Sequence, residues 1–313
     1  MNIEILQGDC INSLKKLEDQ SINTCITSPP YFGLRNYNNE EKQLGMEDTP
    51  EKFVDNLVNV FREVKRVLRD DGTVWLNLGD SYSSGGRTTT TNQSLRGDKD
   101  YGVTRPKPSK GIKPKDLIGI PWRVAFALQQ DGWYLRQDII WHKPNPMPES
   151  VQDRCTKSHE YIFLLTKSAQ YFYDNDAIRE KTGNEATEEE YKDADGRFHN
   201  HAEDLVKGMM QKKPENFKAL THPNGRNKRS VWTITTQPYK DAHFAVFPPK
   251  IPELCIKAGT SEGDTVLDPF FGSGTTGWVA QRLGRQWIGI ELNEEYIKIA
   301  NKRFAQRELF IAK

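Results

Sequence analysis

The sequence predicts an α/β fold built on a mainly parallel sheet. Three observations lead there. Short apolar runs alternate with stretches of helical periodicity, the pattern of repeated β-α units. A glycine-rich turn follows directly on the apolar run TVLD, residues 265–268, and opens a further helical stretch. Polar residues also stand where apolar runs end (Asp9, Ser28, Asp268, Glu291), and ligands of open α/β sheets collect at the C-terminal ends of strands.

Taken in order, residues 2–7 and 22–27 predict the first two strands, joined by a helix near 11–18. Thr49 and Pro50 suit the N-cap and first turn of a long helix. Its apolar positions Phe53, Leu57, Val60, Phe61, Val64 and Leu68 keep helical spacing. Asp71-Gly72 predicts a break before the strand TVWLNLG, 73–79. A helix over about 116–130 leads through Asp131-Gly132 into the strand WYLRQDIIW, and HEYIFLLT at 159–166 predicts another. After TVLD come a helix from about 275, the strand WIGIEL (287–292) and a closing helix after Asn293.

Two stretches break this rhythm. Residues 85–115 hold eight Lys/Arg against two Asp and are rich in Gly, Thr and Pro, which predicts a mobile basic loop. Residues 170–230 have weak periodicity; 181–196 is acidic, while 206–230 carries seven Lys/Arg against Glu215 alone. This predicts an inserted module with one basic face. The net charge of +1 gives no global field, so any surface for nucleic acid is local. Four cysteines lie far apart with no CxxC pair, which supports no metal site and no disulfide framework and fits a reducing cytoplasm. MNIEILQGDC does not read as a signal peptide, and no apolar stretch reaches the roughly 18 residues of a membrane span.

TVLDPFFGSGTTG is the most informative stretch. Gly272, Gly274 and Gly277 match GxGxxG, and Glu291 ends the next strand, as in a dinucleotide-binding unit. Only 45 residues follow Asp268, too few for the second half of such a domain. A nucleoside-bearing cofactor without a pyrophosphate fits better. The loop then passes an amino-acid tail and Glu291 takes both ribose hydroxyls; S-adenosyl-L-methionine has that shape. Asp9 reads equally as the N-cap of the helix near Ile11 and as a cofactor contact.

TSPPY (27–31) and DPFFGSGTT (268–276) together resemble the amino-methylating DNA methyltransferases. Their order, catalytic motif first and cofactor motif last, is similar to that family's beta arrangement. The resemblance extends to WHKPNPMPES (141–150) and to HFAVFPPKIPELCI (243–256), which is similar to the segment covering the cofactor. It implies a circularly permuted Rossmann-like, S-adenosylmethionine-dependent methyltransferase with a recognition insertion. The implied parts are a catalytic half, 1–169, a target-recognition insertion, 170–232, and a cofactor-binding half, 233–313. The implied catalytic residues are Ser28, Pro29, Pro30 and Tyr31. Cofactor contacts fall to Asp9, Cys10, Phe244, Phe247, Asp268, Pro269 and Phe270, to the loop Gly272, Ser273, Gly274, Thr275 and Thr276, and to Glu291 and Asn293. Trp141 and Asn145 are expected to line the base pocket, and Lys212, Lys213, Arg226, Lys228 and Arg229 to meet DNA phosphates. No metal is implied. The partner is double-stranded DNA; a homodimer and a cognate restriction endonuclease are left open.

The chemistry explains the prolines. An exocyclic amino nitrogen is a poor nucleophile because its lone pair is delocalised into the ring. If the Ser28 hydroxyl and the Pro29 carbonyl each accept one of its N–H bonds, the nitrogen is pushed toward a tetrahedral shape. Proline holds that carbonyl still through its fixed φ. Flipping the base from the duplex costs roughly a few kcal/mol, and stacking on Tyr31, at about 1–3 kcal/mol, offsets part of it. Ser28, where adenine enzymes of the family mostly carry Asp, favours cytosine N4; adenine N6 is the alternative. Methylation at cytosine carbon-5 would need an attacking thiolate, usually after proline, and there is no Pro-Cys pair.

Overall fold

The computed structural model describes residues 3–33, 43–83, 112–182, 222–237 and 246–311, with side chains as far as Ala305. Lys212, Lys213, Phe244 and most of the basic loop lie outside the described residues. Among the described residues there are eight strands, β1 (Ile3–Gln7), β2 (Ile22–Thr27), β3 (Leu68–Leu78), β4 (Tyr134–His142), β5 (His159–Thr166), β6 (Val231–Thr233), β7 (Thr265–Asp268) and β8 (Gln286–Glu291). They form one sheet in the order β1-β8-β7-β2-β3-β5-β4-β6, parallel throughout except for β5.

The helices are α1 (Cys10–Leu14), α2 (Pro50–Val67), α3 (Ile120–Gln130), α4 (Lys250–Gly259), α5 (Thr275–Arg282) and α6 (Glu294–Ile311). Alternation along the strands sorts them onto two faces. Cys25, Val74 and Leu76 point into a core shared with Phe53, Leu57, Phe61 and Val64 of α2 and Val124 and Leu128 of α3. The intervening Thr24, Thr73 and Trp75 face α4, whose Gly259 lies so close that an added Cβ would sit 2.6 Å from Thr73 Oγ1. Thr24 and Thr73 satisfy each other there at 2.8 Å. Thr49 caps α2 by accepting from Lys52 N, as its sequence predicts.

Several boundaries differ from expectation. Leu68 starts β3 rather than ending α2, and Asp71-Gly72 is no turn. β2 pairs Ile22 with Leu68 but Thr24 with Thr73, so the surplus residues form a bulge between them. Gly72 is needed there for space, because a Cβ would stand 2.9 Å from the Asn23 carbonyl. The helix expected from 116 starts at Ile120, since Asp80 Oδ1 accepts from both Gly119 N and Ile120 N at 3.0 Å and fixes the N-terminus. Of the segment expected to cover the cofactor, residues 250–259 are the helix α4, packed on the sheet.

The chain forms two compact units, Met1–Tyr173 with Ser230–Lys313, and Asp174–Arg229. All eight strands belong to the first. In the second, Glu180 and Arg226 bridge as antiparallel neighbours, and the Glu180 carboxylate takes Arg226, Lys228 and Arg229 at 3.1, 3.1 and 2.9 Å. Among the described residues no helix is long and apolar enough to cross a membrane.

Candidate active site

From β7 the chain order runs outward in both directions, β7 to β8 on one side and β2 to β3 on the other. Strand order therefore reverses between β2 and β7, the place where such sheets bind ligands. A cavity of about 370 Å³ opens there. Its wall contains Asp9 and Cys10 beyond β1, Ser28–Tyr31 beyond β2, Glu291 and Asn293 at the end of β8, and Phe247. The loop after β7 supplies Asp268, Pro269, Phe270, Gly272, Ser273 and Thr275. Residues from the two ends of the sequence thus share one cavity.

The glycine loop is shaped by its neighbours. Gly272 and Gly274 have φ of +51° and +76°, which favour glycine over residues with a Cβ. Gly277 and Gly289 serve space instead: a Cβ on either would run into the Phe271 ring, at 2.7 and 2.3 Å. Phe271 is stacked on Trp287 and anchors the loop from below. The Gly272 N–H donates to Glu291 Oε2 at 2.7 Å and the Asn293 N–H to Oε1 at 2.8 Å. A carboxylate on the loop's own N–H leaves no welcome for a pyrophosphate. Each Glu291 oxygen keeps a lone pair, which suits two ribose hydroxyls. Burial raises the Glu291 carboxyl above its ordinary value, against the two backbone bonds. Ser273 Oγ is buried and has no partner among the described residues, an orphan that a cofactor's polar tail would satisfy.

Asp268 is held from three sides. Thr27 Oγ1 and Phe270 N donate to Oδ1 at 2.6 and 3.1 Å, and Thr276 Oγ1 donates to Oδ2 at 2.7 Å. Burial nevertheless pushes its carboxyl up to about 6. Thr276 stands behind this carboxylate and Gly274 in the turn, so neither reaches the cavity wall. Asp9 does two things: Oδ1 accepts from Asn12 N at 2.9 Å as the α1 cap, and the residue lines the cavity. Burial, then the charge of Asp9, drives the Cys10 thiol to about 12, so it is an inert wall.

At the other end, Tyr31 is turned by its hydroxyl. That group donates to Glu160 Oε2 at 2.6 Å and accepts from Asn77 Nδ2 at 2.9 Å. Burial and then the Glu160 charge raise it well above its ordinary value, so it stays a phenol. Its ring edge rests on Gly79, where a Cβ would be 2.4 Å from Cε2. Ser28 Oγ lies 3.4 Å from the Tyr31 hydroxyl and 3.3 Å from Asn77 Nδ2. Lys143 Nζ pairs with Glu160 Oε1.

Two residues expected at the base pocket are elsewhere. Trp141 is buried, its indole N–H donating to the Ile234 carbonyl at 2.8 Å, with Lys143 Nζ 4.4 Å above its ring. Asn145 clamps the backbone of Thr236, accepting from its N–H at 3.0 Å. Each makes contacts within the first unit that a loop residue in a pocket would forgo. Glu160 and Asn77 escaped sequence reasoning. For Asn77 the available signal was a polar residue inside the otherwise buried run VWLNL; Glu160 stands in the half-buried start of β5 beside the polar His159, where no such contrast exists.

The family model for N6/N4 DNA methylases matches residues 22–302. The type II methyltransferase M.SmaI of Serratia marcescens is 47% identical over 307 residues, covering 97% of this chain and 91% of that one. M.Cfr9I of Citrobacter freundii is 47% identical over 299 residues, covering 96% and 86%. Among solved structures, the PvuII cytosine-N4-specific DNA methyltransferase superposes with a TM-score of 0.64 at 20% identity, covering 97% of this chain and 86% of that one. The Thermus thermophilus protein TTHA0409, complexed with S-adenosyl-L-methionine, gives 0.59 at 22%, covering 97% and 93%.

Proposed function

Because the chain belongs to the N6/N4 DNA methylase family, we propose that it methylates the exocyclic N4 of cytosine within a short duplex DNA site, on a flipped base. The observation that carries this reading is Ser28-Pro29-Pro30-Tyr31 on the same cavity wall as Asp268 and Glu291. When bound, S-adenosyl-L-methionine supplies an electrophilic methyl group. Glu291 would hold its ribose, Phe270 and Phe247 would pack on its adenine, and Ser273 and Asp268 would face its amino-acid tail. Ser28 Oγ and the Pro29 carbonyl take the two amino N–H bonds, and the nitrogen lone pair is freed from the ring. The amino nitrogen would take the methyl as the sulfonium S–CH3 bond breaks to leave a neutral thioether, and one amino proton would pass to solvent, with no covalent enzyme adduct. Catalysis is mostly positioning of two reactants.

Arg226, Lys228 and Arg229, with Lys212 and Lys213, are proposed as phosphate contacts of a recognition region spanning 170–232. Charge reversal of Arg226 and Arg229 is expected to weaken DNA binding and flatten its salt dependence; unchanged affinity would remove them from the interface. The type II names of the relatives extend the proposal to protection of one site against an endonuclease of the same specificity. The test of the reaction is incubation with mixed-sequence DNA and S-adenosylmethionine, then nuclease digestion and mass spectrometry of the nucleosides. N4-methylcytosine is expected. N6-methyladenine would keep the cavity and overturn the base.

A further inference from the structure

We propose that Glu160 is a positioning residue that acts through Tyr31 to make Ser28 a hydrogen-bond acceptor toward the cavity; this rests on the reading of Ser28 as the group that takes an amino N–H. A serine hydroxyl can donate or accept as it rotates, so it serves that role only if its own proton is occupied elsewhere. A carboxylate at position 28 would need no such help.

The network fixes the direction step by step. The Lys143 ammonium can only donate, and it takes Glu160 Oε1. Glu160 can only accept, and its Oε2 takes the Tyr31 proton at 2.6 Å together with Asn77 Nδ2 at 3.0 Å. The phenol has one proton, now committed, so toward its remaining neighbours it can only accept. Those neighbours are Asn77 Nδ2 at 2.9 Å and Ser28 Oγ at 3.4 Å. Ser28 is therefore the donor in its contact with Tyr31. Asn77 Nδ2 shares its two N–H bonds among Glu160, Tyr31 and Ser28, the last at 3.3 Å, and because it cannot accept, the Ser28 proton has no acceptor on that side. With its proton turned inward, Ser28 offers a lone pair to the cavity. Strand pairing places these groups together: β5 carries Glu160 opposite Trp141 of β4, and Asn77 of β3 pairs with Ile162 two residues along. Trp141, buried beneath Lys143, supports the first donor.

Replacing Glu160 by Gln tests the direction. Lys143 would hold the amide oxygen, turning the NH2 toward Tyr31 and Asn77, donor against donor. The Tyr31 proton then swings to Ser28, whose own proton points at the amino group it should accept from. Turnover of Glu160→Gln is expected to fall about 100-fold, the scale of losing one preorganised hydrogen-bonding group. S-adenosylmethionine affinity, measured by calorimetry without DNA, is expected to stay within about twofold, because the Glu160 carboxylate is engaged by Tyr31, Asn77 and Lys143 and by none of the residues assigned to the cofactor. Glu160→Asp keeps the charge and is expected to recover about tenfold over Gln. The decisive measurement is a double-mutant cycle with Ser28→Ala in single-turnover assays. Once the hydroxyl is gone, Glu160→Gln should cost little more. Equal losses in both backgrounds, or full activity of Glu160→Gln, would overturn the inference. A wild-type chain that makes no methylamino base on mixed-sequence DNA would overturn the reading of Ser28 and this inference with it. An active wild type with additive losses overturns this inference alone.

Discussion

The Asp268 carboxylate is 2% exposed, and its three hydrogen bonds do not cancel the cost of burying its charge. Its pKa of about 6 lies above the ordinary 3.8. Between those values the folded chain keeps a proton that the unfolded chain has lost. Stability from this group is therefore present at low pH and is lost as pH rises from about 4 to 6. At roughly 1.4 kcal/mol per unit, the loss is on the order of 3 kcal/mol. Thermal melts of the wild type against Asp268→Asn should diverge across that window, with Asn at least as stable above it. Cofactor binding should run the other way. The ionised carboxylate suits a cationic tail, so S-adenosylmethionine affinity of the wild type should weaken as pH falls through about 6, and that of Asp268→Asn should not. Sequence reasoning found Asp268 because it sits in a contiguous motif. It missed Glu160 because what matters there is the company of residues from other strand ends, brought together only by the sheet.

The glycine loop works as an element because Phe271 is wedged beneath it. The ring stacks on Trp287 at 5.1 Å, with Trp287 and Phe304 stacked at 4.7 Å, and Gly289 leaves room for it on β8. In Gly289→Ala a Cβ would lie 2.3–2.6 Å from three ring atoms, so the ring or the strand must move. Overpacking of this kind typically costs about 1–3 kcal/mol. Because Phe271 N also donates to the Ile290 carbonyl at 2.9 Å, displacing it should disturb Phe270 and Gly272. Gly289→Ala should therefore lower the melting temperature and weaken S-adenosylmethionine binding together, and adding Phe271→Leu should restore part of both. A loss of stability with unchanged affinity would separate the wedge from the site. Elements of this half were readable because strand, turn and helix signals coincide. α4 was not, since Pro252 falls within its first turn and hides the periodicity; the N–H groups there need no helical partner anyway. β6 has three residues, too few for any period, and exists because β4 offers it an edge.

At the scale of the whole chain, the order of TSPPY and DPFFGSGTT already implied a permuted sheet, and the pairing of β2 with β7 realises it. What composition could not show is how the second unit is held. The basic stretch suggested cations waiting for phosphate, yet Arg226, Lys228 and Arg229 all share one internal carboxylate. Around it the backbone closes as well: Glu180 N donates to Arg226 O at 2.9 Å, Arg226 N to Glu180 O at 3.0 Å, and Arg179 to the Gly225 carbonyl at 3.0 Å. Burial raises the Glu180 carboxyl, but hydrogen bonds from Lys228 and Arg229, the charge of Lys228 and the bond from Arg226 outweigh it and hold it at about 2. A lowered pKa contributes stability above the ordinary value of 4.5 and loses it as pH falls toward about 2. Amide protection at Glu180 and Arg226, corrected for intrinsic exchange rates, should therefore drop as pH falls through that window in the wild type. In Glu180→Gln it should be lower at neutral pH, by about tenfold or more, and flat with pH. Wild-type protection unchanged down to about pH 2 would mean that the backbone bridge closes this unit without the ion cluster. Protection lost in Glu180→Gln with DNA affinity intact would assign the three cations to the fold of the unit rather than to phosphate.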